Sequence, residues 1–326
     1  MSTPKNRPIA VIGCGVIGLS TGIRLLEQRF RVTIIARELP PHTTSDTAAA
    51  VWYPYKTGPL EKVLRWARTS LDEFYKLSND SQTGVSIIEL TELFPTQREI
   101  PWWKDGVRTY AKIQPSIYGP DYPSAFSMET PLIETPVYMQ WLMNRFQGLG
   151  GTIQQRSVSS IADLLHEHPL LVNCAGIGAR ELVHDKSLYP IRGQTVIVSA
   201  PHVRRCVVDV EGPRSLLYIV PRSKDCVLGG TAEENDWSLE VRPETASTII
   251  KKCSEIDDRL RTAKVLSHKV GLRPGRPTVR LELERVSPSS FIIHNYGHGG
   301  AGFTLSWGCA DNVALIANEL RQKNQS

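Results

Sequence analysis

The sequence predicts an α/β protein in two parts: a discontinuous Rossmann-like dinucleotide-binding domain packed on an α+β domain with a largely antiparallel sheet. Three observations carry this. Residues 9–36 read as a βαβ unit with glycines in GxGxxG spacing at its first turn. Residues 291–321 repeat the same logic near the other end: apolar strand, glycine turn, helix. Between them, residues 193–230 hold short apolar or alternating runs bounded by turn residues, the pattern of antiparallel strands.

Ile9, Ala10, Val11 and Ile12 are four successive apolar residues and read as a buried strand. Gly13 permits a tight turn, and Gly15 has no side chain to hold a pyrophosphate off the backbone. Gly18 lets a helix over 16–28 lie close to the strand. The free N–H groups at that helix start attract phosphate. A second strand over 31–36 closes the unit. The acid expected at its tip, to hold a ribose, is replaced by Ala36, with Arg37 and Glu38 next. Thr43, Thr44 and Ser45 precede small residues and suit a capped helical turn, either beside a ligand or as an ordinary cap.

Further along, 63–77 reads as an amphipathic helix, 84–91 as a strand, and 94–126 as a Pro- and aromatic-rich stretch of a second domain. A helix over 135–146 carries Pro136 in its first turn, where proline is tolerated. Strands follow at 151–158 and 170–179, the latter ending in Gly-x-Gly. The short runs at 193–200, 206–210, 215–220 and 225–230 form the antiparallel sheet, and 243–258 a helix. Residues 271–280 read as an Arg- and Pro-rich loop, and 306–321 as the final helix. The expected boundaries are 1–58, 136–190 and 281–326 for the nucleotide domain, and 59–135 and 191–280 for the substrate domain. Two nucleotide-facing glycine turns at opposite ends suit a long ligand such as FAD, one for the pyrophosphate and one for the flavin.

At 326 residues, with 41% hydrophobic and 22% charged residues, the chain has ample material for a core. A net charge of +5 is small for this length, and no run of five like charges occurs, which argues against nucleic acid as a partner. None of the six cysteines forms a CxxC pair, so no metal site is expected, and their use fits a reducing compartment. The polar start and the absence of a long apolar run lead to the expectation of a cytoplasmic protein off the membrane.

The chain resembles the D-amino-acid oxidase family, which includes D-aspartate oxidase, nearly end to end. The matching stretches are Val11-Ile-Gly-Cys-Gly-Val-Ile-Gly18, Thr43-Thr-Ser-Asp-Thr-Ala-Ala-Ala-Val-Trp52 with Pro54-Tyr55, and Val172-Asn-Cys-Ala-Gly176. Further on they are Tyr218-Ile-Val-Pro221, Leu228-Gly-Gly-Thr231, Gly271-Leu-Arg-Pro274 and His294-Asn-Tyr-Gly-His-Gly-Gly-Ala-Gly302. The resemblance implies FAD as cofactor and an oxidase that converts D-amino acids to 2-oxo acids, ammonia and hydrogen peroxide. Its partners would be a D-amino acid and dioxygen; a homodimer is left open.

By that similarity Gly13, Gly15, Val16, Ile17 and Gly18 carry the pyrophosphate, and Arg37 and Glu38 lie beside the adenosine ribose. Thr43, Thr44 and Ser45 line the phosphate path, and Ala49, Ala50 and Val51 the flavin edge. Val158, Cys174, Ala175 and Gly176 flank the adenosine. Gly299, Gly300, Ala301, Gly302, Phe303 and Thr304 surround the flavin pyrimidine near His294. Arg273 matches the arginine that forks onto the substrate carboxylate and borders the cofactor. Tyr218 matches the tyrosine that bonds the same carboxylate, and the Gly300 carbonyl would accept from the substrate amine. Taken alone, loop arginines are mostly solvated and strand tyrosines mostly core.

The segment before Tyr218 is shorter than the mobile lid of the mammalian members, and the last residues lack the Ser-Lys-Leu address. An NAD-dependent dehydrogenase would leave the second glycine turn without a role. A flavin carrier without catalysis would leave Arg273 and Tyr218 unexplained. In the D-aspartate oxidases arginines hold the second carboxylate. Here the corresponding places are Ala232, followed by Glu233 and Glu234, and about Glu211. With Val51, Tyr53, Tyr218 and Val220 at the pocket edge, the expected preference is for neutral, apolar D-amino acids. Arg214, in the short lid, is the one cation placed to change that.

Overall fold

A computed structural model describes residues 8–53, 58–99 and 107–323. Pro54 and Tyr55 of the family pattern, and residues 324–326, lie outside the described residues. Two sheets organise the chain. The first runs in the order β14 (Arg280–Ser287), β15 (Ser290–Tyr296), β7 (Leu170–Asn173), β1 (Ile9–Ile12), β2 (Val32–Ala36), β6 (Thr152–Gln155). All its pairs are parallel except β14 with β15. β1 and β2 are buried along their whole length, which explains their unbroken apolar sequence.

The second sheet runs β12 (Glu233–Glu234), β8 (Tyr189–Ser199), β11 (Cys226–Gly229), β10 (Leu217–Pro221), β9 (Cys206–Asp209), β3 (Val85–Phe94), β5 (Ser124–Ile133), β4 (Tyr110–Ile113). β13 (Lys264–Gly275) lies on the other flank of β8. Only β3 with β9 is parallel. The α/β class with a largely antiparallel second sheet is therefore what the chain adopts.

Among the described residues, seven helices complete the fold. α1 (Val16–Glu27), α3 (Thr135–Gly148) and α7 (Gly302–Lys323) share one core with α2 (Leu60–Leu77). α4 (Ile161–Glu167) and α5 (Ala179–Leu182) are short, and α6 (Pro243–Ile256) covers β10 and β11. The boundary at residue 59 would place α2 with the substrate domain. It packs instead along α7, because the Gly308 amide donates to Ser70 Oγ at 3.0 Å and Gly308 lacks the Cβ that would strike the Trp66 backbone.

Three segments differ from the sequence reading. Residues 271–280 are not a loop: through Gly275 they continue β13, which pairs with β8 along its length. Pro274 is tolerated there because β13 is an edge strand. The strand β14, with its alternating Arg-Leu-Glu-Leu-Glu-Arg, had no counterpart in that reading. The last helix begins at Gly302, not near Ser306, so it starts directly at the glycine turn. Among the described residues no helix is long and apolar enough to cross a membrane. All six cysteines are buried and free.

Candidate active site

The first turn is built from close approaches that only glycine allows. Gly13 has φ +107°, and a methyl on it would sit 2.5 Å from the Cys174 carbonyl oxygen. A methyl on Gly18 would fall on the Gly13 carbonyl, so that glycine is what seats α1 on β1. Gly15 differs. Its backbone is extended, and a methyl there would meet only Ser45 Oγ, at 3.0 Å. Ser45 Oγ accepts the Val16 amide at 2.9 Å, which brings the Thr44–Thr47 turn onto the start of α1. Thr43 faces inward, its amide and hydroxyl both donating to Asp46, while Thr44 is exposed.

The second glycine turn arrives at the same place. Gly302, the first residue of α7, lies against Val16, and Ser20 Oγ donates to the Ser306 carbonyl at 3.3 Å. Thr304 Oγ1 accepts the Tyr53 amide at 3.3 Å and donates to the Tyr53 carbonyl at 2.9 Å. This ties the start of α7 to the Ala49, Ala50, Val51 stretch, which runs beside β5 through a Val51–Leu132 bridge. Neither α1 nor α7 has an acidic residue in its first turn. Two helix N-termini, with Ile17 and Phe303 in their first turns, thus converge beside one hydroxyl-rich turn.

β13 connects this cleft to the second sheet. Thr47 packs on Gly271, and the Gly299 amide donates to the Pro274 carbonyl at 2.9 Å. Arg273 therefore lies beside the turn that carries exposed Gly300 and buried Ala301. Strand register puts Arg273 and Tyr218 on one face: Arg273 pairs with Ile191, and Tyr218 reaches Thr195 through Gly229. Missing side chains make room for both. A methyl on Gly193 would fall on the Arg273 guanidinium, and one on Gly229 on the Tyr218 ring. Arg273 Nη1 donates to the Thr231 carbonyl at 2.9 Å. The Leu228-Gly-Gly-Thr231 stretch is thus the floor under both side chains. Val51, Tyr53, Tyr218 and Val220 border one apolar cluster on this face.

Several other expected residues have partners within the chain. His294 bonds Glu284 at 2.8 Å and meets Tyr296 edge-on, on the opposite sheet face from Asn295, which bonds Thr21 of α1. Burial lowers its imidazole below the ordinary range. Arg214 is held by Glu255 at 2.8 Å and Asp121 at 3.1 Å, and stacks over Tyr122. Glu211 pairs with Arg98, and Glu233 turns to Arg192 and Arg242. Arg37 and Glu38 pair with each other at 3.1 Å, exposed at the end of β2. Cys174 gives its backbone to the turn, while its thiol lies in the core and burial pushes it up to about 12. Val158 and Ala175 pack on one core cluster, and at the neighbouring Gly176 a Cβ would meet open space.

One residue of this face escaped the sequence reading. Glu92 of β3 is buried, and its Oε1 accepts the Tyr53 hydroxyl. The signal was its alternation with Ile88 and Leu90, which places it inward.

The residues fit FAD. At Gly15 a Cβ would meet only the tip of Ser45, beside two converging helix starts, and at Gly299 (φ +53°) in the second turn it would meet open space. His298, in the second turn, is fully buried, and its Nε2 has no partner among the described residues. Burial pushes its imidazole down to about 3, so it is neutral. A D-amino-acid oxidase of Rubrobacter xylanophilus is 47% identical over 308 residues, covering 94% of each chain. A human D-aspartate oxidase is 34% identical, covering 95% of this chain and 94% of its own length. A glycine oxidase structure from Bacillus cereus shares the fold with TM-score 0.82 at 18% identity, covering 96% of this chain and 98% of that one. Residues 8–315 match the family described as FAD dependent oxidoreductase (DAO), and the chain belongs to that family of FAD-dependent enzymes.

Proposed function

We propose that the chain is an oxidase of D-amino acids that takes neutral substrates in preference to D-aspartate and D-glutamate. The observation that carries this is the placement of Arg273 and Tyr218 on one sheet face, above a shared glycine floor and beside the second glycine turn. A guanidinium fork takes a carboxylate through two parallel charge-assisted bonds. Tyr218 donates its hydroxyl to the same carboxylate, and the Gly300 carbonyl accepts from the amine. Held at carboxylate and amine, one enantiomer presents its α-hydrogen toward the cofactor cleft. Bound FAD supplies the two-electron acceptor and is regenerated by dioxygen with release of hydrogen peroxide. No side chain need remove a proton from carbon, and the imino acid hydrolyses in water to a 2-oxo acid and ammonia. The start of α1, with Ser45 beside it, would hold the pyrophosphate, and the start of α7 with Ala49–Val51 and Gly299–Thr304 would hold the flavin.

The site is tested by adding D- and L-amino acids to the yellow protein without oxygen. D-Methionine should bleach the flavin and the L-isomer should not; bleaching by neither would overturn the reading. Tyr218→Phe should lower kcat/KM about 10- to 150-fold, mostly through KM, since a hydrogen bond to a charged group contributes roughly 1.5–3 kcal/mol. An unfolded variant would make Tyr218 a core residue instead.

The carboxylates Glu211 and Glu233 face arginines rather than the pocket. The obstacle is that Arg214 and Arg242 are themselves committed to carboxylates, leaving a second substrate carboxylate to compete for them. Arg214→Ala should therefore leave the ratio of kcat/KM for D-aspartate over D-valine within threefold. A large fall in that ratio would show that Arg214 reaches the substrate.

A further inference from the structure

The face that carries Tyr218 holds an acidic side chain that the proposed reaction does not use. Tyr218 of β10 stands opposite Val208 of β9, and Val208 opposite Glu92 of β3. The three form one row. Neighbouring strands lie about 4.8 Å apart, so Glu92 stands roughly 10 Å along the face from Tyr218. Glu92 is only 5% exposed. Its Oε1 accepts the hydroxyl of Tyr53, which borders the same pocket. Its Oε2 is buried and accepts from no donor among the described residues. Phe126 lies opposite it on β5, with Tyr110 stacked on that ring at 5.0 Å. Arg98 acts on it only through space, its guanidinium being paired with Glu211. Burial raises the Glu92 carboxyl to about 7. An unpaired buried carboxylate oxygen is costly and contributes nothing to a core of valines and aromatics.

We propose that Glu92 and Tyr53 form the far end of the substrate pocket and receive the cationic side chain when the substrate is a basic D-amino acid such as D-lysine or D-arginine. This rests on the reading that Arg273 and Tyr218 hold the α-carboxylate. A four-methylene stem with its ammonium spans about 6 Å, and the reach of the glutamate side chain covers the remainder. The stem lies over Val51, Val208 and Val220, as long cationic side chains do on apolar surface. The ammonium donates to Oε2, and its charge holds Glu92 ionised. D-Aspartate is both too short and of the wrong sign for this end.

The test compares D-lysine with D-norleucine, which has the same stem without the ammonium, in the holoenzyme at pH 8. Glu92→Gln should lower kcat/KM for D-lysine by 30-fold or more, through KM, and change that for D-norleucine less than threefold. Equal losses on both substrates would overturn the proposal. Wild-type enzyme gives an answer without any variant. Judged by perturbation of flavin absorbance, 6-aminohexanoate should bind at least tenfold tighter than hexanoate; equal binding would overturn the proposal. Failure of the underlying reading looks different, because then D-norleucine is not oxidised either.

Discussion

A Gly15→Leu chain is expected to fold and to purify without flavin colour. The two outer glycines of the motif are required by the chain's own packing: Gly13 by the Cys174 carbonyl and its positive φ, Gly18 by the Gly13 carbonyl. Gly15 carries no such requirement. Its φ of −77° suits any residue, and a Cβ there meets only the tip of Ser45, at 3.0 Å. A side chain at Gly15 therefore obstructs what lies over the helix start rather than the fold. Each charge-assisted bond lost from the pyrophosphate costs roughly 1.5–3 kcal/mol. Loss of two weakens FAD binding by about two to four orders of magnitude. Flavin absorbance per chain, with far-UV circular dichroism as the control for folding, reads this directly. Native flavin content would mean that the pyrophosphate does not lie on α1.

Arg273→Leu should leave the protein yellow and reduce kcat/KM by about two to four orders of magnitude. Among the described residues the guanidinium has one hydrogen bond, to the Thr231 carbonyl, and it sits in the space that Gly193 leaves open. Removing one partner of a buried charge pair costs roughly 3–5 kcal/mol, and here the partner left behind is the substrate carboxylate. The residues proposed to hold the flavin, at the start of α7 and at 49–51, are tied together through Thr304 and Tyr53 rather than through Arg273. Steady-state kinetics on D-methionine check the outcome. Near-native kinetics would remove Arg273 from the carboxylate, and a colourless protein would show that it holds the cofactor instead.

The parts of the fold that depend on near neighbours in the chain were open to reading. The first glycine turn needs Gly18 because of Gly13, five residues away, and the apolar run of β1 before it follows from burial on both faces. The paired occurrence of such turns at residues 13–18 and 297–302 is a statement about backbone and composition alone. It predicted the nucleotide domain, its interruption and the ligand length. The D-amino-acid oxidase pattern added Arg273 and Tyr218, which no local propensity distinguishes from a surface arginine and a core tyrosine.

What only the tertiary structure decided is where distant side chains spend their charges. Residues 271–275 look like loop because Gly and Pro disfavour strands, yet β8, some eighty residues earlier, supplies the whole ladder. His294 is in a glycine-turn motif, but the pleat sends its ring away from α1 toward Glu284. Arg214 is near Tyr218 in the chain and is captured by Asp121 and Glu255, which come from other elements. Glu92 is an unremarked acid in an alternating strand until β9 sets it in line with Tyr218. Local sequence encodes backbone conformation, because sterics act over a few residues. The partner of a charge is chosen by packing across the whole chain, so the sequence could nominate Arg273 and Tyr218 while only the fold decided which charges are already paired within the chain.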